Sequence, residues 1–155
     1  TASFIMAVNQ LPNANIQAGR ELTVPFGNLE IVVRKRDYRL YLLLDGVIVR
    51  DYLVGLGRDD GTPLGTFRIS GKTVDPPWRT PEGEILPFGH PDHLIGNRWM
   101  GFDDEKGRTG YGIHGTVDED SIGKQESDGC IRLGKADVEE IFRLFPEGGQ
   151  VEVRL

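Results

Sequence analysis

One cysteine, Cys130, stands among the 155 residues of this chain, so no disulfide can form within it and cysteine use points to neither an oxidising nor a reducing compartment. Histidine is almost as scarce, with three in all. A basic excess is missing too: 18 Lys and Arg against 24 Asp and Glu give a formal charge of -6, which argues against general binding to nucleic acid or anionic lipid. Any anionic substrate must be met by local cations. No apolar run approaches the roughly 20 residues of a membrane span, and the first residues lack the basic, apolar and small-residue order of an export signal. Internal repeats and low-complexity tracts are absent as well. What is present, 38% hydrophobic residues in 17.2 kDa, suits a single domain with a small appendage.

The periodicity divides the chain in two. In the first segment Phe4, Val8 and Leu11 share one helical face, residues 12–15 read as a turn, and residues 21–24 read as a short strand. This piece is too short to fold alone. From Leu29 onward the pattern is β: runs at 29–34, 38–44 and 47–54 predict a three-stranded meander, with Asp45-Gly46 as a tight turn in which both residues tolerate positive φ. Residues 55–102 are dense in Gly and Pro, and predict long loops around one strand at 66–70. Val138, Ile141, Phe142 and Phe145 follow i, i+3, i+4, i+7 spacing, so a helix is predicted over 135–145, ended by Pro146. Residues 150–155 alternate as a closing strand.

The residue types with chemical potential cluster late in the chain. A free thiol is only about 3% ionised at neutral pH, so a reactive Cys130 needs a base or a positive partner, and His114 is the nearest histidine in sequence. The bland alternative makes Cys130 a small buried hydrophobe and His114 a satisfied core histidine. Gly129 permits close backbone approach, and the amides around Gly129 and Cys130 are candidate oxyanion donors worth about 3 kcal/mol each. Arg132 shares a face with Cys130 if the segment is extended; it either clamps a substrate carboxylate or forms an ordinary surface ion pair. Asp128 is expected to point to solvent or toward His114, because facing the sulfur it would raise the thiol pKa. His90 and His93, with Asp92 between them, invite a metal reading completed by His114 or Cys130, but no zinc spacing is matched and no metal or other cofactor is expected. Trp78, Trp99 and Phe102 either line a cleft or anchor loops to the core.

Several blocks together resemble one family. Leu53-Val54-Gly55-Leu56-Gly57 with Thr62-Pro63-Leu64-Gly65-Thr66-Phe67, then Leu94-Ile95-Gly96-Asn97-Arg98-Trp99-Met100, then Gly112-Ile113-His114-Gly115-Thr116 with Ser121-Ile122-Gly123, and finally Ser127-Asp128-Gly129-Cys130-Ile131-Arg132 are similar to an L,D-transpeptidase catalytic domain of the YkuD type. The resemblance implies a mainly β, sandwich-like catalytic domain over residues 28–155 with one main helix, and acyl transfer on the stem peptides of bacterial peptidoglycan. It implies Cys130 as nucleophile, His114 as base and Gly115 as the carbonyl that fixes the imidazole tautomer. Ser127, Asp128, Gly129, Arg132 and Trp99 then fall on the substrate and oxyanion side. Many relatives have His where this chain has Asp128, and Asn-Pro where it has Asp92-His93.

The implied reaction forms a thioester at the third stem residue with loss of D-alanine, and an acceptor amine then resolves it; carbapenems are expected to acylate the same thiol. Water as acceptor would make the enzyme a carboxypeptidase. An inactive wall-binding relative and a metal-dependent peptidase are the alternatives. Residues 1–27, from Ile5-Met6-Ala7-Val8-Asn9-Gln10-Leu11 to Val24-Pro25, resemble the second half of a glycan-binding LysM module. Together these resemblances imply an exported protein of the cell envelope, with peptidoglycan as partner and no membrane span in this chain.

Overall fold

The computed structural model describes residues 2–24, 26–103 and 110–155. A short helix α1 (Ala2–Val8) precedes the sheet strands. The predicted meander forms as β1 (Leu29–Arg34), β2 (Arg39–Leu44) and β3 (Val47–Leu53). Asp45 and Gly46 turn between the last two with φ of 49° and 78°, the left-handed geometry that suits the twist of a hairpin. A two-residue strand β4 (Leu56–Gly57) and a 3₁₀ turn (Arg58–Asp60) follow. The chain continues through β5 (Gly65–Val74), a small hairpin of β6 (Trp78–Arg79) and β7 (Ile85–Leu86), β8 (Ile95–Asp103) and β9 (Gly112–Thr116). After β10 (Gln125–Ser127) and β11 (Ile131–Leu133) comes α2 (Lys135–Leu144), and β12 (Gln150–Arg154) ends the elements.

Eight strands make one mixed sheet in the order β11-β9-β8-β5-β12-β1-β2-β3. Two pairs are parallel, β1 with β12 and β11 with β9. The alternation of β1, β2, β5 and β12 sends Ile31, Val33, Leu40, Leu42, Phe67, Ile69, Val151 and Val153 into one core, where α2 contributes Val138, Ile141 and Leu144. Helix α2 packs across β8 and β9. The sheet also curls until its ends meet. Beyond β3 the chain reaches Gly55, whose N–H and C=O exchange 2.9 Å hydrogen bonds with Arg132 of β11, at the opposite end of the strand order.

Not every expectation holds. Residues 21–24 are not a strand: Asn9 holds that segment by donating to the Thr23 carbonyl at 2.7 Å and accepting the Thr23 amide at 2.8 Å, so a side chain supplies what a ladder would. The last strand forms as expected and lies in the middle of the sheet, parallel to β1 and antiparallel to β5. The loop-rich stretch also contains the nine-residue strand β8, and β5 is twice the predicted length. Glycines and charged residues within both strands hide the alternation that would reveal them. Helix α1 is not separate from the rest, since Phe4 is buried in the main core.

Candidate active site

Close backbone packing builds the floor of the site. A Cβ on Gly96 would lie 2.7 Å from the Gly115 carbonyl carbon, and one on Gly115 would lie 3.0 Å from a Val138 methyl. The two glycines therefore let β8, β9 and α2 approach more closely than side chains would allow. His114 sits on this floor, fully paired in the ladder and 4% exposed, opposite Trp99 on one side and Arg132 on the other. The Trp99 ring lies flat on the imidazole, with centroids 5.6 Å apart and planes 22° from parallel. Trp99 thus orients the imidazole.

The Nδ1–H of His114 donates to the carbonyl of Gly115 at 2.5 Å, which leaves Nε2 as the nitrogen able to accept a proton. Burial lowers the imidazole pKa to about 4; Arg132 adds to that effect and the Gly115 bond opposes it. The resting imidazole is neutral.

Cys130 is half-buried at the entry to β11, where its Sγ is 3.5 Å from the carbonyl of Gly110. Burial raises the thiol pKa to about 11, with Asp128 in the same direction, while the Gly112 backbone and Arg132 pull it down. Thiol and imidazole therefore both rest neutral, and a nucleophilic sulfur here would need a base to take its proton as it attacks. Burial alone does not reduce Cys130 to an inert core residue, because one face of it stays open.

The turn before the sulfur is fixed by a buried serine. Ser127 Oγ donates to the Cys130 carbonyl at 2.6 Å and accepts the Gly129 amide at 3.1 Å. That bond corrects the expectation of two oxyanion donors, since the Gly129 amide is already engaged. The Cys130 amide has no partner among the described residues and remains available. Gly129 itself adopts φ +121°, and a Cβ there would lie 2.6 Å from the Tyr111 ring and 3.0 Å from the Gly61 carbonyl oxygen. Only glycine fits.

Asp128 turns away from the histidine and forms an exposed ion pair with Arg58, a partner that nothing in the local sequence announces. The Arg132 guanidinium has no hydrogen-bonding or ionic partner among the described residues, yet it acts electrostatically on both His114 and Cys130. Such a half-buried, unengaged fork suits a carboxylate.

His90, Asp92 and His93 do not join this site. His93 is buried with Nε2 2.8 Å from the Pro76 carbonyl, and the rings of Trp78 and Phe88 meet it edge-on. His90 is exposed beside Asp92. Among the described residues no three His, Cys, Asp or Glu side chains gather as a metal site. Of the three aromatics, Trp78 anchors that loop and Phe102 stacks on Phe67 in the core; Trp99 alone reaches the candidate site. Tyr111 and the 57–61 loop are site components to which sequence reasoning gave no role, although both adjoin blocks it singled out.

A β sheet that carries a glycine-backed histidine on one strand and a cysteine at the entry to the strand paired with it suits thiol-based acyl transfer, and the family comparison agrees. The L,D-transpeptidase catalytic domain (YkuD) profile matches residues 28–153, and the chain belongs to that family. The Bacillus subtilis (strain 168) protein YqjB, provisionally named an L,D-transpeptidase, is 41% identical over 128 residues, which cover 81% of this chain and 70% of YqjB. Among solved structures, an L,D-transpeptidase from Mycobacterium smegmatis aligns with a TM-score of 0.67 at 19% identity, over 83% of this chain and 59% of that one. The catalytic domain of the Enterococcus faecium L,D-transpeptidase, acylated by ertapenem, aligns with a TM-score of 0.63 at 23% identity, over 83% of this chain and 98% of that domain. At these identities the two structures speak for the fold.

Proposed function

We propose that this protein cross-links bacterial peptidoglycan as an L,D-transpeptidase, with Cys130 as nucleophile and His114 as base. The observation that carries the assignment is the parallel register of β9 and β11, which aligns Arg132 with His114 and sets Cys130 at the open end of the same pair of strands. In the first step Sγ attacks the carbonyl of the third stem residue while its proton passes to His114 Nε2. The Cys130 amide donates to the developing oxyanion. The imidazolium then protonates the departing amine of D-alanine, leaving a thioester. In the second step an acceptor amine loses its proton to His114 and attacks the thioester, which restores the thiol. Arg132 holds a carboxylate of the substrate, Trp99 keeps the imidazole in plane, and Gly115 keeps its tautomer.

The substrate places the enzyme in the envelope, exported from the cytoplasm; no helix among the described residues is long and apolar enough to cross a membrane. Residues 28–155 are the catalytic domain in this reading. Residues 1–27 are the end of a LysM-like module that guides the enzyme to glycan; helix α1 supports that reading, whereas the strand expected at 21–24 does not form. An inactive wall-binding role has no observation of its own.

Incubation with a disaccharide tetrapeptide, followed by mass spectrometry, tests the assignment. A cross-linked dimer with loss of D-alanine is the expected product. A shortened monomer alone would instead make the protein a carboxypeptidase. Stoichiometric thioester formation with a carbapenem, lost in Cys130→Ala, reports the first step separately, and its absence in the unmodified protein would overturn the role of Cys130.

A further inference from the structure

The geometry points to Lys35 as a positioning residue for the nucleophile, acting through the 57–62 loop; the inference rests on the reading of Cys130 given above. Lys35 leaves β1 in what the sequence presents as a charged surface turn, Lys35-Arg36-Asp37, yet it is only 5% exposed. An ammonium has three donors, and three oxygens meet this one. The carbonyls of Asp60 and Thr62 lie at 2.9 and 2.6 Å, and the Asp60 carboxylate at 2.5 Å. A lysine buried with every donor engaged ties its partners firmly, because releasing any of them strands a charge in the interior.

What Lys35 ties is a loop of unusual backbone. Asp59 and Asp60 both sit in the left-handed region, at φ 50° and 59°, a conformation that costs L-residues of order 1 kcal/mol or more each. Thr62, 1% exposed, accepts the Gly57 amide through Oγ1 at 2.7 Å, and the Asp60 amide donates to Gln125 Oε1 at 3.2 Å. The ends of the loop are therefore drawn together and its centre is pinned from below. Its outer surface is pressed on the turn that carries the sulfur. A Cβ on Gly57 would lie 2.7 Å from the Gly129 Cα, a Cβ on Gly129 would lie 3.0 Å from the Gly61 oxygen, and Arg58 pairs with Asp128. Lys35 thus holds one wall of a mould, and Gly129 and Cys130 are shaped by it. Without the ammonium, the loop can relax toward ordinary backbone angles, and the turn loses the surface that fixes both the sulfur and the Cys130 amide.

Lys35→Met removes the charge while keeping an unbranched stem. Two readouts apply: hydrogen exchange, which needs no activity, and the rate of carbapenem thioester formation. Amides at 57–62 and at 128–130 are expected to exchange at least about tenfold faster, with β2 and β12 unchanged, and thioester formation is expected to slow at least about tenfold. Lys35→Arg should recover part of that rate. A lowered melting temperature with a wild-type thioester rate, or faster exchange at 57–62 without any change at 128–130, would overturn the proposal. Should Lys35→Met not fold, Asp60→Asn keeps a residue suited to positive φ and weakens a single contact; about threefold slower acylation is expected, and a wild-type rate would overturn it. If the unmodified protein forms no thioester, the assignment of Cys130 fails, while the exchange result still decides whether Lys35 governs the 128–130 turn.

Discussion

The proposed base and the proposed nucleophile of this site are held in opposite ways. His114 lies inside a strand paired on both sides, over a floor of backbone packed on backbone, so its position is specified many times over. Cys130 lies one residue before a three-residue strand, on a turn kept in shape by Ser127, by the absence of a side chain at Gly129 and by a neighbouring loop. The base belongs to the fold, whereas the nucleophile is set by a few side chains. Substitutions near His114 should therefore act through chemistry, and those near Cys130 through geometry.

The largest expected effect comes from His114→Gln, which keeps the shape of the floor and removes the proton acceptor. Thioester formation should fall about a thousandfold with little change in substrate affinity, as kcat and KM measurements would reveal. The buried neutral imidazole also links to stability. Because its folded pKa lies below the ordinary value, its contribution is whole above about pH 6.5 and is lost as pH falls toward 4, by up to about 3 kcal/mol. Acid denaturation of the glutamine variant should lack that component; an unchanged acid limb would separate His114 from the fold it is said to belong to.

Gly129→Ala ranks next. The new methyl meets Tyr111 and the Gly61 carbonyl at a φ that L-residues avoid, so about a hundredfold slower acylation is expected, with stability reduced by about 2 kcal/mol in thermal melts. A near-normal rate would mean that the turn tolerates far more movement than the contrast allows. Ser127→Ala strips partners from the Gly129 amide and the Cys130 carbonyl, and should slow acylation about tenfold while leaving the His114-dependent pH profile unaltered. A shifted profile would show that the two halves of the site are coupled. Asp128→Asn should matter least, changing the rate less than about threefold, because its exposed pair with Arg58 is screened by solvent. Rate measurements at low and high salt check this directly.

Local pattern carried the meander, the Asp45-Gly46 turn and α2 into view before any coordinates, and the family resemblance added the pairing of His114 with the Gly115 carbonyl. These features depend on neighbours in sequence. The place of β12 between β1 and β5 does not, since alternation in residues 150–155 says that one face is buried but not which strands lie alongside. Residues 21–24 misled for the same reason: their composition suits a strand, and a single asparagine satisfied the backbone instead. Within the site, Arg58 and Lys35 escaped notice because each lies far along the chain from Cys130, in a charged turn of the kind that ordinarily faces water. The Thr62-Pro63 block did signal that the loop mattered, without indicating what it touches.

The meeting of Gly55 with Arg132 has one more consequence. A curled sheet joined to itself by a lone pair of hydrogen bonds has a seam, and every other junction around the ring is a longer ladder. Within that ring the fewest bonds must part beside the strand bearing Arg132, next to the sulfur. In the ring of strands that pair is the shortest stitch, and parting it would free the side of β11 next to Cys130 while the longer ladders stay closed.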